Sequence, residues 1–318
     1  MGKVNFTPPL FSGTLPSMNF SMEKNIPLSS ITYFGVGGTA DELARITDIN
    51  VLPEIWAETI ALRLPSFLLG SGSNLVCSDA GFRGRVFILD ADKSEWRENI
   101  VTVEAGKNLQ QLILDVAGRG FSDFTNVAGI PGTVGGAIRG NAGAFGSEIQ
   151  ECLKTVQFCD EDGMIRTLPT QECEFEYRES IFKKNPLWCI LRATFQLTKK
   201  IDRDTALADA QKLIQERWQK YPPGKCGGSF FKNPTEVPEG VMPYAGWLLE
   251  NAGAKGDQIG GAQISDKHAN FLMNADNATQ KDVLELARKW HKIVLDKYKV
   301  SLEPEVMLID EYGKKIEI

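Results

Sequence analysis

Two glycine-rich segments are the places where the backbone of this chain could bind a ligand. The first reads GSGSN at residues 70–74, and the second reads GIPGTVGGAIRGNAGAFG at residues 129–146. Glycine lets successive N–H groups converge on one anion, an arrangement that binds phosphate without a lysine. Ser71, Ser73 and Thr133 add hydroxyl donors. The two segments together predict a site for a cofactor that contains a pyrophosphate.

The familiar nucleotide-binding motifs do not describe these segments. The chain contains no GxxxxGK[ST] pattern, so a Walker-type phosphate site is excluded. Residues 70–75 lack the third glycine of GxGxxG, and no clear βαβ unit surrounds them, which disfavours a Rossmann dinucleotide fold. For either segment taken alone, a plain turn is the alternative.

The cysteines and histidines give no sign of a metal site. The six cysteines have no CxxC spacing, and only His268 and His291 could add imidazole ligands. The cysteines lie at positions 77, 152, 159, 173, 189 and 226. Because several fall within apolar patterns, we interpret them as reduced, buried thiols of a cytoplasmic protein.

The composition is that of a folded protein. The chain has 318 residues, 42% of them hydrophobic, and a formal net charge of −6. This excludes a disordered or collagen-like chain and argues against non-specific nucleic-acid binding, which needs clustered Lys and Arg. No stretch is apolar enough to span a bilayer or to act as a secretory signal. We therefore expect a cytoplasmic protein with no membrane or nucleic-acid partner.

The glycine-rich segments lie between predictable elements. Residues 51–65 have a helical apolar period ending at Pro65, and a short apolar strand leads into residues 70–74. Strands are predicted at 85–92 and 100–106, followed by a helix that Asn108 can cap. Seven glycines among the 18 residues of 129–146 are expected to prevent both helix and strand there.

The second half of the chain mixes strands and long helices. The pattern predicts a hairpin around Asp162 and Gly163, a half-buried strand at 189–197 and a charged helix at 205–221. A Pro/Gly-rich joint follows at 221–228. Further on, we expect a helix at 279–298, capped by Thr279 and Asp282, and a strand at 301–310. Without a regular βαβ rhythm, this mixture indicates an α+β fold.

Eight blocks of sequence resemble, in order, the UDP-N-acetylmuramate dehydrogenase family, also called UDP-N-acetylenolpyruvoylglucosamine reductase or MurB. The resemblance covers about residues 23–310. The blocks are TYFGVGGTA (32–40), LGSGSNL (69–75), GIPGTVGGAIRGNAGAFG (129–146), YRESIFK (177–183), GGSFFKNP (227–234), AGWLLENAGAKG (245–256), ISDKHANFLMN (264–274) and LEPEV (302–306).

The resemblance implies a fold and domain limits. Two subdomains of the vanillyl-alcohol-oxidase-like FAD-binding fold, at 23–88 and 89–200, would precede an α+β substrate-binding domain at 201–318. Residues 1–22 would form an irregular arm. The FAD-binding residues implied by the matching blocks are Gly70, Ser71, Gly72, Ser73, Asn74, Leu75, Ile130, Pro131, Gly132, Thr133, Gly135, Gly136, Ala137, Asn141, Gly143 and Ala144.

The resemblance also implies a reaction. In this family NADPH reduces FAD, and the enolpyruvyl ether of UDP-N-acetylglucosamine enolpyruvate is then reduced to UDP-N-acetylmuramate, a peptidoglycan precursor of cell-wall biogenesis. Matching positions make Arg178 the cation that stabilises the substrate carboxylate and enolate, Ser229 the proton donor, and Glu305 the acid that helps to polarise the enolpyruvyl group. Tyr177, Lys232 and Asn233 would contact the substrate, with Lys232 and Asn233 near its phosphates or sugar.

Without the resemblance these residues have ordinary explanations. Arg178 could form a surface ion pair with Glu176 or Glu179, Ser229 could satisfy a turn, and Glu305 could be a solvated strand residue. Strand periodicity does not separate Glu305 from Glu303, and only the motif selects it.

The sequence departs from the family at several positions. Met307 and Asp310 stand where the family often has Arg and Gly, which puts a role for that Arg in doubt. Cys226 has no recognised role. The short spacing from Arg178 to Ser229 indicates the subtype that lacks an extra substrate-capping insertion.

Two other functions remain open at this point. Another flavoprotein with the same FAD-binding fold, such as a sugar-lactone or alcohol oxidase, would keep the glycine-rich segments without needing Ser229 and Glu305. A nucleotide-sugar-binding protein without catalysis would purify colourless and consume no NADPH. Monomer and dimer are both open.

Overall fold

The structure of the protein is a computed structural model that describes residues 20–318. Its helices and antiparallel or mixed sheets form an α+β fold. Most of the expected irregular arm lies outside the described residues. Its last part, residues 20–22, is instead the start of a strand, because these residues pair with residues 44–46 of the next strand.

The elements of the described residues are as follows in chain order. The α-helices are α1 (Leu52–Ala61), α2 (Leu109–Ala117), α3 (Val134–Arg139), α4 (Ile181–Lys184), α5 (Arg203–Lys220), α6 (Ala245–Ala252) and α7 (Gln280–Tyr298). The strands are β1 (Phe20–Pro27), β2 (Thr39–Ile46), β3 (Ser66–Leu69), β4 (Leu75–Val76), β5 (Phe82–Leu89), β6 (Ser94–Arg97), β7 (Ile100–Glu104), β8 (Gly143–Ala144), β9 (Ser147–Glu148), β10 (Leu153–Cys159), β11 (Ile165–Pro169), β12 (Cys189–Gln196), β13 (Lys225–Cys226), β14 (Gln258–Ile259), β15 (Ala262–Ile264), β16 (Leu272–Asn274) and β17 (Met307–Leu308). Short 3-10 helices lie at Leu28–Ser30, Ile49–Val51, Thr125–Val127, Ile149–Cys152 and Thr170–Glu172.

The first sheet carries the GSGSN segment at the end of one of its strands. Its order is β1-β2-β5-β3, with β2, β5 and β3 parallel and β1 antiparallel to β2. Helix α1 lies between β2 and β3 in the chain and buries Trp56, whose ring meets Phe87 edge-on at 5.2 Å. The helix predicted before Pro65 and the strand predicted before Gly70 are confirmed.

The second sheet is antiparallel, in the order β11-β10-β12-β7-β6. The hairpin predicted around Asp162 and Gly163 joins β10 to β11, and Gly163 has the left-handed φ of +75° that such a turn requires. Helix α2 begins as predicted, because Asn108 Oδ1 accepts a hydrogen bond from Gln111 N at 3.0 Å. Helix α5 packs along α2 and buries Ala206 and Ala210.

The expectation that residues 129–146 contain no helix is wrong. Helix α3 forms within them, capped by Thr133, whose Oγ1 accepts a hydrogen bond from Gly136 N. Tertiary packing outweighs the low helix propensity of glycine, because Val134 and Ile138 are fully buried. Gly135 is required there, since a Cβ on it would stand 2.9 Å from the Cβ of Ala105.

The third sheet, of order β13-β16-β15-β14, packs with α6 and α7 in the carboxy-terminal part. Helix α7 has the predicted capping box of Thr279 and Asp282. The strand expected at 301–310 is wrong in its extent. Only β17 forms there, and it pairs in parallel with β4, while the residues before it run beside Phe231 through a single bridge to Pro304.

The burial of the cysteines and the absence of a membrane-spanning stretch were both predicted from the sequence. Five of the cysteines are free and buried, as predicted, whereas Cys226 is only partly buried. Burial raises the pKa of the Cys77 thiol to about 12, so it is inert at neutral pH. No helix between residues 20 and 318 is long and apolar enough to cross a membrane.

Candidate active site

The two glycine-rich segments lie against each other. A Cβ on Gly70 would stand 2.6 Å from Thr133 Oγ1, and Ser73 Oγ donates a 3.4 Å hydrogen bond to Pro131 O. Gly70 is therefore glycine because the second segment approaches its backbone closely. The segments form one surface, as a shared cofactor site requires.

The N–H groups of these segments divide into two sets. Those of Val134, Gly135 and Gly136 donate to Lys107 O, Ala105 O and Thr133 Oγ1, so they hold α3 in place. In contrast, the N–H groups of residues 71–74 donate to no acceptor in the part of the chain that the structure describes. Phosphate binding by backbone N–H groups can therefore come from 71–74, and not from 134–136.

One buried hydroxyl in this surface lacks a partner. Ser71 Oγ is buried without a hydrogen bond among the described residues. A buried polar atom left unpaired costs about 1–3 kcal/mol, so such an atom is informative where a ligand is expected. Together with the free N–H groups of 71–74, Ser71 gives the donor set that an anionic pyrophosphate needs, and the site fits such a group.

The end of the second segment reaches the predicted catalytic cation. Asn141 is fully buried with a left-handed φ of +42°, and its Nδ2 donates to Glu148 Oε2 at 2.8 Å and to Glu176 O at 3.0 Å. Its Oδ1 is another buried atom without a partner among the described residues. Two residues on, Gly143 O accepts a 2.9 Å hydrogen bond from Arg178 Nη2. The predicted cofactor segment and the predicted catalytic residue are thus in direct contact.

Arg178 lies in a strained tight turn. Glu176 and Glu179 close the turn with reciprocal backbone hydrogen bonds, and Arg178 has a left-handed φ of +60°, which is uncommon for a residue with a side chain. Such strain is concentrated at functional sites. The guanidinium lies over the Tyr177 ring, with Cζ 5.1 Å from the ring centroid.

The partner of Arg178 is Glu305, 127 residues further along the chain. Arg178 Nε donates to Glu305 Oε1 at 2.8 Å, and the two side chains are 21% and 23% exposed. The alternative of a surface ion pair with Glu176 or Glu179 is therefore wrong. Both N–H groups of Arg178 Nη1 make no hydrogen bond within residues 20–318 and can receive a substrate carboxylate.

The backbone around Glu305 joins two other parts of the site. Its N–H donates to Phe230 O at 2.8 Å, and its carbonyl accepts a 3.0 Å hydrogen bond from Asn74 Nδ2. Met307 N donates to Asn74 O at 3.1 Å. Asn74, predicted as a cofactor ligand, is thus a bridge between the first glycine-rich segment and Glu305.

Ser229 lies immediately before Phe230, whose carbonyl receives the Glu305 N–H. Its neighbour Gly228 has a left-handed φ of +80° and faces open space. The Ser229 side chain is half-buried, and its hydroxyl makes no hydrogen bond with the rest of the described chain. It is therefore available to a ligand, and the alternative of a serine that satisfies a turn finds no hydrogen bond in its favour.

The three predicted substrate residues surround this centre. Tyr177 Oη accepts a 3.4 Å hydrogen bond from Asn233 N, and Asn233 Oδ1 accepts one from Ala245 N at the start of α6. Lys232 Nζ donates to Glu179 Oε1 at 2.8 Å. The structure therefore brings together all six residues predicted for catalysis and substrate binding.

Glu179 also pairs with a second lysine. Lys183 Nζ donates to the same Oε1 at 2.9 Å and to Arg178 O at 2.8 Å, so it supports the strained turn. Burial alone would raise the pKa of Glu179, but its hydrogen bonds from Lys232 and Lys183 outweigh burial and lower it. Likewise, burial opposes the charge of Lys232, but Glu179 outweighs it and raises the pKa of Lys232.

Arg217 is a candidate functional residue that the sequence did not reveal. It projects from α5 and is 5% exposed, its Nε is unpaired among the described residues, and its Cζ lies 5.0 Å from the Phe145 ring centroid. A Cβ on Gly129 would stand 2.7 Å from Arg217 Cδ. Burial lowers the pKa of Arg217. On a helix rich in charged residues, its sequence gives no signal that distinguishes it from solvent-facing neighbours.

Comparison with known protein families gives two matches that together span most of the chain. Residues 40–169 match the FAD binding domain family, and residues 219–309 match the C-terminal domain of UDP-N-acetylenolpyruvoylglucosamine reductase. The fold and the site thus define an FAD-dependent oxidoreductase, and FAD is the pyrophosphate-containing cofactor that the glycine-rich segments fit.

Individual proteins give the same assignment. UDP-N-acetylenolpyruvoylglucosamine reductase of Lachnoclostridium phytofermentans is 38% identical over 295 residues, 90% of this chain and 92% of that protein, and the Bacillus subtilis enzyme is 37% identical over 289 residues, covering 90% and 93%. The crystal structure of the enzyme from Thermus caldophilus superposes with a TM-score of 0.75 at 32% identity, covering 91% of this chain and 99% of that one. The chain belongs to the UDP-N-acetylenolpyruvoylglucosamine reductase family.

Proposed function

We propose that this protein is a cytoplasmic, NADPH-dependent reductase that converts UDP-N-acetylglucosamine enolpyruvate to UDP-N-acetylmuramate for peptidoglycan synthesis. The observation that carries the proposal is the convergence of Arg178, Glu305 and the Ser229 segment beside the glycine-rich surface. When bound, FAD would supply the hydride chemistry that links NADPH to the enolpyruvyl ether.

The FAD-binding role is proposed for the residues of both glycine-rich segments. The backbone N–H groups of 71–74 and the Ser71 hydroxyl would hold the pyrophosphate, and Gly70 and Thr133 would shape the surface where the segments meet. Gly135 and Gly136 would contribute by allowing α3 to pack closely, since their N–H groups are already used. We further propose the subdomain limits of 23–88, 89–200 and 201–318.

Arg178 would bind the substrate carboxylate and stabilise the negative charge that develops on it. Its Nη1 donors suit a carboxylate, and the ion pair with Glu305 and the hydrogen bond to Gly143 O keep the guanidinium oriented without further reorganisation. Lys183, through Arg178 O, would hold the turn that carries it.

Ser229 would donate a proton to the carbon next to the carboxylate, and Glu305 would polarise the enolpyruvyl group. A serine hydroxyl is a weak acid and needs activation by its neighbours, a role that we assign to the Arg178–Glu305 pair because Glu305 N donates to Phe230 O next to Ser229. Lys232, Asn233 and Tyr177 would contact the sugar nucleotide. For Lys232, a phosphate would compete with the Glu179 carboxylate that holds its ammonium group at 2.8 Å.

The absorbance spectrum of the purified protein tests the proposal. A yellow protein that NADPH bleaches anaerobically, and that UDP-N-acetylglucosamine enolpyruvate then recolours, would support it. A flavin that the sugar nucleotide cannot reoxidise but oxygen can would indicate an oxidase of the same fold. A protein that stays colourless after addition of FAD would contradict the proposal.

A further inference from the structure

We infer that Asn270 is a positioning residue for Ser229, acting through the backbone of Phe230 and Phe231; the inference rests on the proposed proton-donor role of Ser229. Asn270 belongs to the ISDKHANFLMN segment, residues 264–274, to which the proposed mechanism gives no task. Its side chain is 3% exposed and binds the backbone two residues after Ser229.

Asn270 binds this backbone with both ends of its amide. Oδ1 accepts a hydrogen bond from Phe231 N at 2.9 Å, and Nδ2 donates one to Phe231 O at 2.9 Å. Its main-chain carbonyl accepts a third from Phe230 N at 2.7 Å. Only one orientation of the amide satisfies Phe231 N and O together, so the contact fixes the rotation of the segment and not merely its distance.

The segment has few other restraints. Residues 227–234 belong to no strand, and apart from Asn270 and a 3.4 Å hydrogen bond from Asn233 N to Tyr177 Oη, their main chain is held by the backbone near Glu305. Glu305 N donates to Phe230 O at 2.8 Å, and Lys232 N donates to Glu303 O at 2.8 Å. Asn270 therefore takes the place of a neighbouring strand, and without its side chain Phe231 N and O would lose the only hydrogen-bond partners that they have among the described residues.

This arrangement determines how Ser229 meets Glu305. Ser229 directly precedes Phe230, and Gly228 before it has a left-handed φ of +80° with open space around it. Because Gly228 restrains the chain weakly, the direction of the Ser229 hydroxyl depends on the Phe230–Phe231 backbone that Asn270 holds. A small misalignment of a proton donor lowers the rate of the step that uses it, with little effect on binding.

The test compares the two half-reactions in the full-length, FAD-loaded protein by anaerobic stopped-flow absorbance. For Asn270→Ala we expect flavin reduction by NADPH to stay within about threefold of wild type, while reoxidation by UDP-N-acetylglucosamine enolpyruvate falls about 10- to 100-fold in kcat, with a small change in KM. The solvent deuterium isotope effect on reoxidation should also increase, because proton delivery becomes slower.

Asn274→Ala is the matched control. Asn274 is also a buried asparagine of residues 264–274 that holds backbone groups, but those of Phe34, Gly35 and Ala278. We expect it to lose comparable thermal stability without changing the ratio of the two half-reaction rates. The same ratio change in Asn274→Ala, or a parallel loss of both half-reactions in Asn270→Ala, would overturn the inference.

A second comparison separates this inference from its basis. In a Ser229→Ala background, Asn270→Ala should lower the residual reoxidation rate less than about threefold, because it acts through Ser229. A full additional loss would show that Asn270 acts elsewhere. If Asn270→Ala does not fold, Asn270→Asp keeps size and Oδ1 but loses the donor to Phe231 O, and it should show the same selective loss. Wild-type protein that fails to be reoxidised would instead refute the proposed function.

Discussion

The glycine-rich surface and the Ser229–Glu305 centre lie next to each other but are held by different means. In the first, backbone meets backbone or small side chains, as where Gly70 approaches Thr133 and Gly135 approaches Ala105. In the second, polar side chains hold backbone groups that belong to no extended sheet, as the Asn270 amide does for Phe231. The glycine-rich surface depends on residues that have no Cβ atom, whereas the Ser229–Glu305 centre depends on particular polar side chains.

Because of this difference, the two regions should be sensitive to different kinds of substitution. A single added methyl group at Gly70 or Gly135 can disrupt the glycine-rich surface, since the packing at these two positions leaves no room for a Cβ. The Ser229–Glu305 centre depends instead on hydrogen-bond donors and acceptors that each have a specific partner. Substitutions in the first region should therefore alter stability and cofactor affinity, and those in the second should alter one half-reaction.

The largest effect is expected for Ser229→Ala. Loss of a general acid typically lowers a rate about 10²- to 10⁴-fold, so reoxidation of the flavin by the enolpyruvyl sugar nucleotide should fall by this factor. Reduction by NADPH should continue, as followed by anaerobic bleaching of the flavin. Ser301→Ala, at a serine that contacts His291, is the control. An equal fall in both half-reactions would disprove the proton-donor role.

Gly135→Ala should destabilise the protein by about 1–3 kcal/mol, because the new Cβ would stand 2.9 Å from that of Ala105. Its neighbour Gly136 provides a matched control. A Cβ there meets only Thr133 Oγ1, at 3.5 Å, so Gly136→Ala should be neutral or stabilise α3 by up to about 1 kcal/mol. Urea denaturation of the FAD-free proteins measures both. If the two variants behave alike, close packing is not the reason for glycine at 135.

Lys232→Ala should raise KM for the sugar nucleotide about tenfold, roughly 1.4 kcal/mol of binding, with a smaller change in kcat. The reason is the loss of a half-buried ammonium group that Glu179 holds at 2.8 Å in the site. Lys289→Ala removes an ion-paired lysine of α7, next to Asp257, and serves as the control. Steady-state kinetics at varied substrate concentration distinguish the two. An unchanged KM would place the substrate phosphates elsewhere.

The smallest effect concerns His268 and pH. Burial, followed by the charge of Lys220, lowers the pKa of His268 below its ordinary value of 6.5. The folded protein then binds fewer protons than the unfolded chain, so this contribution to stability is complete above pH 6.5 and is lost as pH falls through the lowered pKa. The slope contributed is at most about 1.4 kcal/mol per pH unit.

His268→Asn tests this while keeping an acceptor for Asn270 N, which donates to His268 Nδ1 at 3.2 Å. The free energy of unfolding, measured at pH 7 and pH 5.5, should depend less on pH in this variant than in wild type. Identical slopes in wild type and His268→Asn would mean that other groups determine the acid sensitivity.

Elements set by local patterns could be predicted from the sequence. The Asn108 cap, the Thr279–Asp282 capping box and the turn at Gly163 each depend on residues a few positions apart. Helix α3 could not, because its glycines disfavour a helix locally and only burial of Val134 and Ile138 stabilises it. The strand expected at 301–310 forms only over β17. Alternation of side chains along the sequence does not show whether a neighbouring strand is available for pairing.

For the site, the sequence supplied candidates but not their contacts. The proposed pyrophosphate-binding surface follows from glycine density, and motif similarity supplied Arg178, Ser229 and Glu305 as candidates. The pairing of Arg178 with Glu305 spans 127 residues and that of Asn74 with Glu305 spans 231, and no local pattern encodes either. The sequence did not single out Arg217 or Asn270 for the same reason. Burial distinguishes each of them from other residues of its type, and the sequence does not show burial.

The parallel pairing of β4 with β17 has a consequence for synthesis on the ribosome. Leu75 and Met307 are neighbours in this pair, so one side of the proposed catalytic centre cannot form until residues beyond 300 have left the exit tunnel. Contacts this distant in sequence slow folding, because a very long loop must close before they form. The glycine-rich segments can therefore be translated and begin to fold well before Glu305 exists. If Glu305 has its proposed role, the nascent chain stays inactive until nearly all of it has been made.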